Sequence, residues 1–83
     1  MKIRFINDYQ TELAVGTDGD GEPIFETETF KAGEVHEVDV VEFATRMDPK
    51  PGGNGFVPDK NLPQLQFGDG SVGIIPVSFV KKV

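Results

Sequence analysis

Short runs in which apolar and polar residues alternate dominate the chain. Ile3 and Phe5 occupy alternate positions of the run 2–7, and a Thr- and Phe-rich run covers 24–30. Alternation with a period of two is typical of β-strands that bury one face. Gly- and Asp-rich turns separate such runs at 17–23 and 68–71, and a tight turn over 31–33 is expected, with Gly33 at positive φ. The pattern therefore predicts β-rich runs over 2–7, 11–15, 24–30, 34–40, 62–67, 72–77 and 78–83. Pro76 interrupts the run 72–77, which fits an edge strand or a break into a short turn.

One segment has the spacing of a helix instead. Asp39, followed three residues later by Glu42, fits an N-cap with its capping partner. Val40, Phe43, Ala44 and Met47 then share one stripe at helical spacing, and Pro49 would end it. This pattern predicts a short helix near 40–47.

The stretch 48–61, DPKPGGNGFVPDKN, has no periodicity and is rich in Gly and Pro. It predicts a long irregular loop, a feature that in compact domains is usually functional or disordered. Phe56 and Val57 are its apolar residues. They either pack onto the body of the domain or contact a partner.

The 83 residues suffice for a single domain over 1–83. We expect a mainly all-β fold, a small closed barrel of five or six short antiparallel strands with one short helix. A barrel of this size is filled by its own side chains and leaves little room for a reactive pocket. The chain has no cysteine, which excludes disulfides and thiolate metal sites.

Two segments carry a family resemblance. GIIPVSFV (73–80) resembles the Gly-hydrophobic-hydrophobic-Pro-Ser-Asn-Tyr-Val ending of Src-homology-3 (SH3) domains, and TFKAGEVHEV (29–38) is similar to an earlier strand of that family. FINDY (5–9) is faintly similar to the family's opening strand. The resemblance implies an SH3-like barrel. It also implies that Tyr9, Pro76 and Phe79, the last in place of a tyrosine, occupy the positions of the family's peptide groove.

The chain departs from this family in three respects. It has no tryptophan, whereas a tryptophan walls the family's proline-binding groove. The stretch 9–30 is longer than the family's first loop. The helix and loop predicted over 40–61 stand where the family has a direct pairing of two strands.

The distribution of acidic and basic residues indicates which kinds of macromolecule the chain could bind. Residues 12–42 contain one base, Lys31, and ten acids: Glu12, Asp18, Asp20, Glu22, Glu26, Glu28, Glu34, Glu37, Asp39 and Glu42. Nucleic acids and anionic membranes attract clustered Lys and Arg, so neither is an expected partner. Long-range attraction instead favours another protein as the partner, and a basic one in particular. The acids also serve solubility alone in many small domains.

Asp18, Asp20 and Glu22 alternate like the first half of a calcium-binding loop. Pro23 stands where such a loop needs glycine, and Thr29 where it needs a bidentate glutamate. Asp and Gly are also common tight-turn residues, and the sequence favours a turn, with a weak calcium site as the alternative. No metal site and no cofactor are expected.

His36, the one histidine, has no cysteine or second histidine to act with, and we expect it to be structural. Neither Ser71 nor Ser78 lies in a nucleophile motif. We therefore expect no catalytic residues and no enzyme. The N-terminal MKIRFINDYQ lacks the apolar stretch of a secretory signal, and no apolar run approaches the ~20 residues of a membrane span. A cytoplasmic location is expected.

Together these features predict a non-enzymatic protein-interaction module. Its partner-binding residues are exposed apolar groups with acids around them: Tyr9, Phe56, Val57, Pro76 and Phe79, with Glu26, Glu28 and Glu37. Two alternatives remain at this point. One is an acidic inhibitor that imitates nucleic acid and blocks a basic groove, for which the carboxylates should line one face. The other is a small structural piece of a larger assembly.

Overall fold

The chain forms seven β-strands and one short turn of 3₁₀ helix in the computed structural model, which describes residues 1–48, 50, 52 and 55–83. The strands are β1 Lys2–Phe5, β2 Tyr9–Thr17, β3 Pro23–Phe30, β4 Val35–Met47, β5 Phe56–Phe67, β6 Val72–Ile74 and β7 Val80–Lys82. The 3₁₀ turn covers Val77–Phe79. The all-β class is confirmed, with seven strands rather than five or six.

All strand pairs are antiparallel and form one sheet in the order β3-β2-β6-β5-β4-β1-β7. β1 lies between β4 and β7, so the first and last strands are neighbours. The sheet curls into a half-barrel. The expected closed barrel is therefore wrong in this respect, because β3 and β7 remain as two edges.

Eight apolar side chains fill the concave side of this sheet: Ile3, Phe5, Leu13, Phe30, Val38, Leu65, Phe67 and Ile75. Phe5 stacks on Phe30 with ring centroids 4.5 Å apart, and Phe30 stacks on Phe67 at 5.2 Å. Four strands separate β1 from β3 in the sheet order, but the turn that follows β3 lies against β1, where the Phe5 N–H donates to the Glu34 carbonyl at 2.9 Å. The aromatic stack thus joins β1, β3 and β5.

Two glycines occupy positions that other residues would not fit, one because of its positive φ and one because a neighbouring side chain is close. Gly33 has φ +95° in the turn between β3 and β4, where its N–H donates to the Phe5 carbonyl at 2.7 Å, and the predicted tight turn is confirmed. Gly73 lies where β6 crosses close to β2. A Cβ at this position would stand 2.3 Å from the Leu13 Cδ2 atom.

The helix predicted near 40–47 is wrong, since these residues form the second half of β4. Val40, Val41 and Thr45 are β-branched and fit a pleated strand better than a helix. Their partners lie in β5, with Val40 opposite Leu65 and Thr45 opposite Pro58. Pairing with a distant strand therefore decides the conformation, and local helical spacing does not.

The irregular loop predicted over 48–61 is wrong for 56–61, which begin β5. Positions 49, 51, 53 and 54 lie outside the described residues. Two register shifts, between Val40 and Glu42 and between Phe43 and Thr45, let β5 carry its prolines within a strand pair. The Gly- and Pro-rich composition of 48–61 thus indicates a loop where the chain forms one half of a long β4–β5 strand pair.

Candidate partner-binding site

Tyr9 and Phe79 form an aromatic pair at the surface. Tyr9 begins β2 and Phe79 ends the 3₁₀ turn, and their ring centroids are 4.6 Å apart with a tilt of 50°. Both side chains are half-buried, and Tyr9 packs against the core. The Tyr9 hydroxyl donates a long hydrogen bond of 3.5 Å to the Ile74 carbonyl. The pair is therefore anchored on one side and open to solvent on the other.

Pro76 belongs to the same surface. It precedes the 3₁₀ turn, and its carbonyl accepts a 3.0 Å hydrogen bond from the Phe79 N–H. The Phe79 carbonyl in turn accepts from the Ile6 N–H at 2.9 Å, which ties the turn to the end of β1. The structure thus brings together three of the predicted residues, Tyr9, Pro76 and Phe79, here called the aromatic surface.

Two predicted acids, Glu28 and Glu37, line a second feature, a groove of about 360 Å³. Asp69 is a third acidic residue of the lining, and no Lys or Arg lines it among the residues that the structure describes. The N-terminal ammonium group of Met1 lies 3.4 Å from the Glu37 Oε1 atom. The remaining lining is Leu13, Phe30, Val35, His36, Phe67, Gly68 and Ser71. We call this feature the acidic groove. It joins the aromatic surface through one cross-strand pair, because Phe30 lies directly opposite Tyr9.

Glu26 lies on the same side of β3 as Glu28. The register places Glu26 opposite Leu13, a core residue, so both glutamates project to the concave side of the sheet. Glu12 lies opposite Thr27 and projects to the convex side. The carboxylates of β2 and β3 are therefore divided between two faces, whereas a nucleic-acid mimic would be expected to align them on one.

His36 packs within the aromatic stack. Its ring meets those of Phe5, Phe30 and Phe67 edge-on, at centroid distances of 5.8, 5.2 and 5.6 Å. Its Nε2 atom lies 3.1 Å from the Glu34 Oε1 atom. Ser71, also at the groove, donates its hydroxyl proton to Asp69 at 2.6 Å. These two hydrogen bonds direct His36 and Ser71 to separate carboxylates, which is not a nucleophile–base pair.

Hydrogen bonds lower the pKa of two carboxyl groups near the acidic groove. The hydroxyl of Ser71, and then its backbone N–H at 3.0 Å, lower the pKa of Asp69. The backbone N–H of Lys31, followed by the His36 side chain, lowers the pKa of Glu34. Each carboxylate is thus held in its charged form by donors that the fold positions.

The Asp69 hydrogen bonds predict a pH-dependent stability. Because the folded-state pKa is lowered, ionised Asp69 stabilises the fold above the unfolded-state pKa, and this stabilisation is lost as the pH falls through the folded value. Asp69→Ala should lower the urea midpoint at pH 7, with a smaller difference from wild type at pH 3. Glu42→Ala, the same charge change at an exposed position, is the control. If Asp69→Ala lowered the urea midpoint by the same amount at pH 7 and at pH 3, the ionised Asp69 carboxylate would not be the stabilising group.

Phe56 and Val57 are not part of the aromatic surface. They begin β5, at the far end of the β4–β5 pair from Val38 and Phe67. Phe56 is 70% exposed and lies opposite Met47, which is 73% exposed, while Val57 is half-buried. Phe56 thus does not pack onto the core. It forms with Met47 a separate exposed apolar pair.

Asp18 has a local role in the β2–β3 turn. Its Oδ1 atom accepts hydrogen bonds from the N–H groups of Asp20 at 2.9 Å and Glu22 at 3.0 Å. This is the geometry of an Asx turn. In the residues that the structure describes, no three His, Cys, Asp or Glu side chains are arranged to hold a metal ion.

Sequence reasoning missed three members of these surfaces. Met47 was assigned to a helix, although its pairing with Phe56 makes it half of an apolar pair. Asp69 and Ser71 lie in a turn whose composition, GDGS, indicated only a bend. An Asp two residues before a Ser is a local signal for the hydrogen bond between them. Nothing local indicates that the turn closes a groove.

Comparisons with known proteins found no match to this chain. No protein-family model matches it, and neither a curated protein nor a solved structure does. In the part of the chain that the structure describes, no helical segment has the length and apolar character of a membrane span.

Proposed function

We propose that this chain is a non-enzymatic, SH3-like interaction domain that binds an extended, basic segment of another protein at the aromatic surface. The observation that carries the proposal is the Tyr9–Phe79 ring pair, half-exposed beside Pro76. Rigid aromatic side chains partly open to solvent are the usual anchors of protein interfaces.

Several features support the SH3-like part of the proposal. Tyr9, Pro76 and Phe79, the positions implied by the resemblance, lie together although Pro76 follows Tyr9 by 67 positions in the chain. Ile75 is buried and Val80 packs on the core, as expected if the 73–80 segment resembles the family's ending. β4 and β5 pair directly, which removes one of the three departures from the family.

Charge supports a basic partner. The chain carries a net charge of −6, and Glu28, Glu37 and Asp69 are among the residues that line the acidic groove next to the aromatic surface. The Glu37 carboxylate is partly neutralised, because its Oε1 atom lies 3.4 Å from the N-terminal ammonium group. A potential of one sign attracts a partner of the other and sets its orientation. The missing tryptophan argues for apolar contacts to Tyr9 and Phe79 themselves, and against a proline-specific groove.

Selection of peptides tests the proposal. A random twelve-residue library displayed on phage is selected on the immobilised domain, and the affinity of the enriched peptides is measured by fluorescence anisotropy. We expect enriched peptides that combine Lys or Arg with apolar residues. Enrichment of acidic peptides, or no enrichment, would contradict the proposal.

The salt dependence of the selected peptides separates aromatic contact from charge alone. Raising the salt from about 0.1 M to 1 M shortens the Debye length from about 10 Å to about 3 Å. Because salt does not screen apolar contacts, we expect the affinity at 1 M salt to be less than about tenfold below that at 0.1 M, so that binding is still measurable. Complete loss of binding already near 0.3 M would favour the nucleic-acid mimic instead.

A further inference from the structure

β3 is an open edge of the sheet. It stands at one end of the strand order, and the first seven of its eight residues are exposed. None of the turn, loop or side-chain hydrogen bonds among the described residues involves the backbone of 24–30. On the side away from β2, its N–H and C=O groups are therefore available to another strand.

The two faces of this edge differ in chemistry. Glu26 and Glu28 project to the concave side, where Glu28 also lines the acidic groove. Phe25 projects to the convex side with Thr27 and Thr29. A strand added to β3 would thus meet carboxylates on one face and an apolar residue with two threonines on the other.

Phe25 extends an apolar row across the convex side. It lies opposite Ala14, which lies opposite Val72 in β6. Phe25 is 55% exposed, and these three residues with Ile74 contribute to a depression of about 200 Å³. An apolar side chain next to Phe25 on an added strand would continue this row.

From these observations we infer that β3 binds its partner by strand addition, and that the added segment alternates basic residues with apolar or β-branched ones. The inference rests on the proposed function, since it describes how the basic segment is held. Main-chain hydrogen bonds supply affinity in this mode, and side chains on alternate positions supply specificity. The basic residues would face Glu26 and Glu28, and the apolar ones Phe25.

A second copy of the chain fits this edge poorly. Two β3 strands paired antiparallel about Thr27, with their concave sides facing the same way, would set Glu26 of one copy opposite Glu28 of the other. Like charges directly opposite are destabilising, so the edge favours a basic strand over its own copy.

Three synthetic nine-residue peptides test the inference. The first alternates lysine with valine, the second has the same composition with the lysines grouped at one end, and the third is the alternating peptide with alternate backbone nitrogens methylated. We expect the alternating peptide to bind and to slow amide hydrogen exchange in β3. The grouped and methylated peptides should bind at least tenfold more weakly, although their charge is unchanged.

Charge variants of the domain complete the test. Glu26→Gln with Glu28→Gln should weaken the alternating peptide about tenfold. Asp39→Asn with Glu42→Gln removes the same charge from exposed positions on β4 and should change the affinity less than twofold. Equal effects of the two double variants, or full binding of the methylated peptide, would overturn strand addition. If phage-selected peptides then still depend on Phe79, the proposed function stands and only this inference fails.

Discussion

Replacing Phe5 with alanine is expected to destabilise the domain by ~3–5 kcal/mol, the range for truncating a buried aromatic side chain. Phe5 is fully buried and stacks on Phe30, with the His36 ring edge-on beside it. Truncation would leave a cavity at the point where the aromatic stack joins β1, β3 and β5. Because small domains have a total stability of ~5–15 kcal/mol, a large part of it would be lost.

Urea unfolding followed by far-UV circular dichroism measures this loss. Phe56→Ala is the matched control, because it removes the same side chain from a position that is 70% exposed, and it should change the free energy of unfolding by less than ~0.5 kcal/mol. Equal effects of the two substitutions would contradict the described core.

Replacing Phe79 with alanine is expected to weaken a phage-selected peptide at least tenfold. The Phe79 ring supplies half of the aromatic pair, and interface aromatics commonly contribute ~2 kcal/mol or more when truncated. Tyr9→Ala should have a comparable effect. Tyr9→Phe should have little effect, because the pair keeps both rings and loses only the long hydrogen bond to Ile74.

Val77→Ala is the control for Phe79→Ala. Val77 lies in the same 3₁₀ turn and is exposed, but it is not part of the ring pair. Anisotropy titrations should give a Kd for Val77→Ala within about twofold of wild type, and urea midpoints show whether each variant remains folded. Unfolding of the Phe79→Ala variant would place Phe79 in the core and remove it from the binding surface.

The parts of the fold that sequence predicts are those fixed by local chemistry. The run 24–30 is rich in Thr and Phe and follows a Gly/Asp turn, and it lies within β3. Gly33 lies in a tight turn with positive φ, as expected from the sequence. Pro76, expected to interrupt a strand or break it into a turn, begins the 3₁₀ turn.

The parts that sequence does not predict depend on distant contacts. Residues 40–47 have a helical stripe, but their pairing with 56–65 is worth more than a helix of two turns. The prolines and glycines of 48–61 indicate a loop, and no local rule shows that Phe56 starts a twelve-residue strand. Curvature is equally non-local, and it creates the acidic groove between Glu28, Glu37 and Asp69.

The part of the candidate site that sequence predicts is the part that belongs to a recognisable sequence motif. Pro76 and Phe79 belong to one eight-residue segment, and the resemblance linked that segment to Tyr9. Phe56 and Val57 were joined to them only as exposed apolar residues, and the register separates them from that surface. Shared hydrophobicity does not indicate shared position.

The most direct measurement is a titration of the ¹⁵N-labelled domain with a phage-selected peptide, followed by amide chemical shifts. Our account predicts that the largest changes fall at Tyr9 and over 77–80, next to the aromatic pair, and over 24–30 at the β3 edge where the added strand is held. Largest changes over 42–47 and 56–62 instead, around Met47 and Phe56, would mean that the protein binds its partner through the far end of the β4–β5 pair and that the proposed site is wrong.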